Sequence, residues 1–270
     1  MERQTQMALF TDAPISTLDQ LAAQDTAVLD VASNEGIDAT VKISLAQDEL
    51  GVELTSAFSR SAFSRTSPSI WWPGSVATSL SILQLPNIVV TPPLRLWHTF
   101  RTLELVYRDA YGNQLNDRYA AKWKKYQDLA KWASVMLFQA GIGVVSNPIA
   151  VAGSPEVDLL SGLQPATMYF VQVAWLNATS EEGMASPVTS INAPDQNSVQ
   201  VTPSQPPANA VAWNVYAGVA VDSITLQNTT PLGTDQTWLM PSTGLVQGRS
   251  PASGQDPNYY SQAPRFLQRG

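Results

Sequence analysis

His98 is the only histidine, and cysteine is absent from all 270 residues. Thiol nucleophiles, disulfide scaffolds, zinc ribbons and His-rich metal sites are excluded together. Any chemistry would have to rest on carboxylates or serine. His98 sits in a segment of helical spacing that begins at Pro93, with no nucleophile elbow near it, so it reads as a polar helix-face residue or a satisfied core residue. Glu181 and Glu182 precede Gly183, and neighbours on a strand point to opposite faces, so the pair reads as a solvated loop tip. Gly141-Ile142-Gly143 lacks the third glycine and the preceding strand of a dinucleotide fingerprint. Asn177-Ala178-Thr179 and Asn228-Thr229-Thr230 match the glycosylation pattern, but residues 1–10 hold no secretory signal, so both read as accidental. Asp195-Gln196-Asn197 is too short a cluster for calcium. The expectation is a protein without catalytic activity, cofactor or metal.

Charge is more informative than chemistry. The net charge of −7 divides into −8 over residues 1–58, +6 over residues 59–147 and −5 over residues 148–270. Between Lys131 and Arg249 there is no lysine or arginine, so that stretch cannot neutralise phosphates. The basic block holds Arg95, Arg101, Arg108, Arg118, Lys122, Lys124, Lys125 and Lys131. Three readings stand: a helical pair solvated by its charge, complementarity between the acidic and basic segments within one chain or between subunits, and contact with nucleic acid.

These residues must be positioned by helices. Residues 15–58 read as helical: Ser16 and Asp19 suggest a capping box, and Leu18, Leu21, Ala22, Leu29 and Ala32 form a stripe up to Gly36. Asp38 can cap a further helix with one apolar row at Val41, Leu45 and Val52 and another at Ile43, Leu50, Leu54 and Phe58. Residues 59–92 read as a long loop with a turn at Trp71-Trp72-Pro73-Gly74, where the tryptophans either fold back on the core or anchor a neighbouring subunit. The strongest helical signal follows. Thr91 is placed to cap, Pro92 and Pro93 suit a first turn, and Leu96, Phe100, Leu103, Tyr107 and Ala110 repeat at helical spacing. Tyr111-Gly112-Asn113 breaks that row. A second runs through Leu115, Tyr119, Trp123, Tyr126, Ala130, Ala133 and Leu137 to a C-cap at Gly141, predicting an antiparallel hairpin.

From Pro148 the alphabet changes, with 13 of the 19 prolines from that residue onward. Tyr169, Val171, Val173 and Trp175 alternate as a strand, and short apolar runs follow near 199, 211–216, 224–226 and 238. That spacing predicts a β-sandwich. The domains expected are 1–147, helical with the loop at 59–92; 148–248, the sandwich; and 249–270, an extended arm that orders on a partner through Tyr259, Tyr260, Arg265, Phe266 and Arg269. The candidate interface residues are these five with Trp71, Trp72, Lys122, Lys124 and Lys125.

Within residues 93–145, the string LRLWHTFRTLELVYRDAYGNQLNDRYAAKWKKYQDLAKWASVMLFQAGIGVV resembles the helical hairpin of tailed-bacteriophage head-to-tail adaptor proteins, and residues 15–58 are similar in helix order. The later half resembles immunoglobulin-like or fibronectin type III modules of phage virion proteins, at Ala212-Trp213-Asn214-Val215-Tyr216-Ala217-Gly218, Thr237-Trp238 and Ser242-Thr243-Gly244-Leu245. The resemblance implies an α+β virion protein: a helical adaptor-like domain followed by an immunoglobulin-like sandwich, forming a ring, commonly of twelve copies, between portal and tail. Its partners would be itself, the portal and other neck or tail proteins, with nucleic acid at most passing through the lumen and no membrane involved. It would sit at the head-to-tail junction of the virion, assembled in the host cytoplasm. The alternative is a phage tail or surface module whose sandwich recognises a cell-surface glycan or protein.

Overall fold

A computed structural model describes residues 7–65, 84–115, 117–251 and 253–262, with the side chains of 59–65 outside that set. It is α+β: five helices, mostly N-terminal, precede antiparallel strands in the C-terminal half. The chain divides into two compact units. One holds residues 13–146 and 257–262, the other residues 147–256 and 7–12. The division at Ser146/Asn147 lies beside the expected junction, but neither unit is a continuous stretch, which corrects the sequential three-part division.

The helical unit contains α1 (Leu18–Gln24), α2 (Val28–Asn34), α3 (Ala39–Arg65), α4 (Pro92–Gln114) and α5 (Asp117–Ala140). The capping box at the start of α1 falls one residue later than expected: Thr17 Oγ1 accepts from the Gln20 N–H, and the Thr17 N–H donates to Gln20 Oε1. Asp38 caps α3, accepting from the Thr40 N–H at 2.8 Å. Along α3 the row Ile43, Ala46, Leu50, Leu54 and Phe58 is buried, which leaves Val41 and Val52 outward. The helix runs on through residues 59–65, which read as loop; serine is only a mediocre helix former and does not stop one. Residues 66–83, with Trp71 and Trp72, lie outside the described residues.

Helix α4 is buried nearly all round, from Leu94 to Ala110. Thr91 occupies the N-cap position, although its hydroxyl makes no cap bond. The helix passes through the expected break at Gly112 and stops at Leu115, whose φ is +51°. A lone glycine costs a helix only about 1 kcal/mol. Here Tyr111 stacks on Trp123 at 5.9 Å and the Asn113 side chain donates to the Glu35 carbonyl, so tertiary contacts carry the helix past it. Further ring pairs, Trp97 with Phe138, Phe100 with Tyr126 and Tyr107 with Tyr119 and Tyr126, fix the antiparallel register of α4 against α5. Such pairs are worth about 0.5–1.5 kcal/mol each beyond their buried area. Gly141, at φ +95°, ends α5 as the sequence predicts.

Strand β1 (Ile142–Val144) follows. Its partner is β10 (Tyr259–Ser261), antiparallel, with Val144 opposite Tyr259 and Gly143 opposite Tyr260. The Asn258 side chain also accepts from the Ser146 N–H at 2.7 Å, and its N–H donates to the Val144 carbonyl. Residues 257–262 are therefore fixed on the helical unit rather than extended as an arm. Their low apolar content does not free them, because strand pairing and the Asn258 amide supply the contacts. Residues 263–270, with Arg265, Phe266 and Arg269, lie outside the described residues.

The second unit contains β2 (Glu156–Gln164), β3 (Thr167–Asn177), β4 (Thr189–Ala193), β5 (Asn197–Thr202), β6 (Ala210–Gly218), β7 (Thr225–Leu226), β8 (Leu232–Gly233) and β9 (Trp238–Leu239). One sheet has the order β2-β5-β9 and the other β4-β3-β6-β7, with β8 also on β6; all pairs are antiparallel. Tyr169, Val171, Val173 and Trp175 enter a core shared with Val199, Val201, Trp213, Val215 and Trp238, so the two inner faces pack on each other. Residues 7–12 join this unit: the Met7 N–H donates to the Ser253 carbonyl, and Leu9 and Phe10 are buried. Gly254, at φ +119°, permits the approach, since a Cβ there would run into the Met7 backbone. Residues 246–249 lie beside β7, where the Leu226 N–H donates to the Arg249 carbonyl.

Candidate interaction site

Four clusters gather the ionisable and polar side chains. The first is built on Asp25, which ends α1 and is 7% exposed. Its Oδ2 accepts from Tyr107 at 2.9 Å, Tyr126 at 2.8 Å and the Lys122 ammonium at 2.5 Å, while Oδ1 takes the Ala27 N–H. Burial pushes the carboxyl pKa up, but the hydrogen bonds from Lys122, Tyr126 and Tyr107 outweigh it and hold the pKa below the ordinary value. Burial, then the bond to Asp25, pushes both phenols upward. The cluster joins α1 to the α4–α5 hairpin.

The second cluster surrounds His98, which is fully buried. Nε2 lies 3.0 Å from the Ile43 carbonyl and Nδ1 2.8 Å from Ser16 Oγ. Burial lowers the imidazole pKa to about 4. The neutral ring therefore donates from Nε2 to Ile43 and accepts from Ser16 at Nδ1. Thr99 extends the chain, its hydroxyl 2.8 Å from both Ser16 Oγ and the Arg95 carbonyl. These are the atoms of a nucleophile pair, yet neither Ser16 nor His98 reaches solvent, so the arrangement ties the approach to α1, α3 and α4 together. Ser16, read as a cap, serves this core instead.

The third and fourth clusters correct the reading of Glu181 and Glu182. Glu182 accepts from Tyr216 at 2.6 Å and Asn214 at 3.0 Å, and pairs with Arg249, whose guanidinium lies 5.6 Å from the Tyr216 ring centroid. Glu181 accepts from the Asn177, Thr179 and Gln255 side chains. The loop after β3 folds back so that both carboxylates accept from side chains of other segments, Glu181 from Gln255 and Glu182 from Asn214, Tyr216 and Arg249. Asn177 is fully buried and donates to Asn147 and Glu181, while Asn228 donates to Asn214 and Thr230. Both glycosylation-pattern amides are thereby engaged in the fold.

An open groove of about 460 Å³ lies at the start of α3. Its Lys42 is paired with Asp109, and the Asp38 carboxylate occupies the helix terminus. Among the described residues, no group of His, Cys, Asp or Glu is arranged to hold a metal ion, and no helix is long and apolar enough to cross a membrane.

The candidate interface residues separate. Lys122 pairs with Asp25 within the chain while its side chain stays 40% exposed. Lys124 and Lys125 are exposed, the latter with its ammonium 5.1 Å from the Tyr126 ring centroid. Lys131, one heptad from Lys124, and Trp132, 49% exposed, share the outward side of α5. Trp132 was not among the candidates, although it falls at Lys125 plus seven, the same helix side. Tyr259 and Tyr260 present exposed rings from a strand whose backbone pairs with β1. Arg101 with Glu49, and Lys122 with Asp25, join the basic and acidic segments within one chain. No family model matches the chain, and no curated protein matches it.

Proposed function

We propose that this chain is a virion structural protein, a head-to-tail adaptor whose copies form a ring between portal and tail. The observation that carries the reading is α5. Its inner side is fixed against a buried α4 by the ring pairs and by Asp25, while its outer side presents Lys124, Lys125, Lys131 and Trp132, and among the described residues those lysines form no ion pair. The hairpin is the stretch that resembles the adaptors. The second unit is an immunoglobulin-like or fibronectin type III-like sandwich, a reading supported by its two antiparallel sheets and tryptophan-rich core. The test is the mass of the purified protein alone and mixed with a portal protein. A ring alone or on the portal is the expected result; a monomer in both conditions refutes the reading.

The alternative, a tail or surface binding module, has one observation in its favour. Phe170 pairs with Gly218, so the start of β3 and the end of β6 lie at the same end of their sheet. Met168, Val219 and Val221 there are 47%, 57% and 60% exposed, and Leu163, near the β2–β3 turn, is 81% exposed. Exposed aliphatic loops suit a protein surface; the sandwich aromatics that would stack on a sugar, Trp175, Trp213 and Trp238, are buried.

A further inference from the structure

We infer that the outward stripe of α3 on one copy receives the outward stripe of α5 on a second copy, a head-to-tail contact between two different faces of the helical unit. This names the contact within the ring reading above and rests on it. Three observations carry the inference.

The first is the position of the two helices around α4. The α3 side of α4 is marked by His98 on Ile43, Arg101 on Glu49 and Asp109 on Lys42. The α5 side is marked by Phe100 and Tyr107 on Tyr126 and by Tyr111 on Trp123. At about 100° per residue, those two sets stand about 140° apart around the α4 axis. The outer faces of α3 and α5 therefore look in widely different directions, as a heterologous contact requires.

The second observation is charge. The α3 stripe runs Val41, Ser44, Asp48, Val52 and Thr55, all exposed, with Asp38 at its head, Glu53 beside it and no lysine or arginine within it. The α5 stripe runs Lys124, Asp128 and Lys131, with Lys125 and Trp132 along its edge and Asp117 at its start. The α3 stripe itself carries only carboxylates, Lys42 beside it being paired with Asp109; on the α5 stripe, lysines outnumber carboxylates. The signs are complementary between copies even though Arg101 and Lys122 already have partners within the chain.

The third is apolar exposure within or beside each charged stripe. Val41 and Val52 are 56% and 70% exposed and Trp132 is 49% exposed. Val41 and Val52 stand about 16 Å apart along α3 at 1.5 Å per residue, so the indole seats on one of them, Val52, one turn from Asp48. Tryptophan is also the residue type most enriched among interface anchors. The two stripes are comparable in length, each on the order of 20–25 Å at 1.5 Å per residue.

The test uses two full-length variants, each closing one face: Trp132→Asp on α5 and Val52→Asp on α3. Both positions are surface-exposed, so each variant keeps the wild-type circular dichroism and melting profile. In sedimentation at low salt, each alone is expected to associate at least about tenfold more weakly than wild type. Mixed, they are expected to form a one-to-one heterodimer and nothing larger, because one intact α3 face meets one intact α5 face and the two remaining faces are closed. As a second pair, Lys124→Glu with Lys131→Glu on one copy and Asp48→Lys on the other should each weaken association alone and restore it when mixed. Rings that form equally from all variants overturn the inference while leaving the ring reading standing. Wild-type protein that stays monomeric, alone and with a portal, overturns both.

Discussion

Replacing Asp25 with asparagine tests whether the helical unit is held by a carboxylate that tyrosines need or by a salt bridge. The carboxylate accepts four hydrogen bonds, from Tyr107, Tyr126, Lys122 and the Ala27 N–H. An asparagine brings one acceptor and one donor. Whichever way the amide turns, its NH2 faces either the tyrosine hydroxyls and the lysine or the Ala27 N–H. The Lys122 side chain is 40% exposed and regains water when released, so its share is that of a surface pair, at most about 1 kcal/mol. The tyrosines are about 1% exposed and have no such recourse. Hydrogen bonds to a charged group contribute about 1.5–3 kcal/mol each, and stripping a partner from a buried charged cluster costs about 3–5 kcal/mol. Asp25→Asn should therefore destabilise the helical unit by about 3–4 kcal/mol, and Lys122→Met by about 1 kcal/mol or less. Urea unfolding followed by circular dichroism at helical wavelengths reads this unit, because the five helices belong to it. A loss below about 1 kcal/mol for Asp25→Asn, or a larger loss for Lys122→Met, would refute the assignment of the stabilisation to the tyrosine bonds.

Two more predictions follow from buried groups and crossed termini. His98 has its folded pKa depressed to about 4 by burial, the Ile43 hydrogen bond opposing, so below pH ~6.5 the unfolded chain takes up a proton that the folded one refuses; stability is full above that value and falls by about 3 kcal/mol as pH drops toward 4. A His98→Gln variant should be less stable at pH 7 but show a flatter urea midpoint across that window, distinct from the Asp25 contribution, which is lost only below the ordinary carboxylate range as pH falls through its lowered folded pKa. Deleting residues 257–270 should destabilise the helical unit by about 2–4 kcal/mol, because it removes the β10 pairing and the Asn258 bonds beside the buried Ile142 and Val144. An unchanged thermal midpoint would mean that β10 contributes nothing to that unit.

What could be read from the chain depended on whether the signal repeats locally. The α4–α5 hairpin was legible because rows such as Tyr119, Tyr126, Ala130, Ala133 and Leu137 sustain one helical face, and that face is the buried one. The inward row of β3 was legible for the same reason at a period of two. Residues 7–12 and β10 were not, since a few residues carry no period and their partners lie far away in sequence. Charge misled in a specific way. Lys122 lies three residues after Tyr119 and four before Tyr126, so its half-exposed side chain reaches the carboxylate that the tyrosines bury, a partner its own sequence neighbours do not show. Glu182 was misread likewise, because its acceptors' partners, Tyr216 and Arg249, lie more than 30 residues downstream. In both places an aromatic hydroxyl and a cation on separate elements converge on one carboxylate. A buried charge in this chain is therefore recognised not from its own neighbours in sequence but from the helix or sheet face it shares with a tyrosine. By the same criterion Lys124 and Lys131 lie on a face of α5 that carries no tyrosine, and that is the face the proposed contact between copies uses.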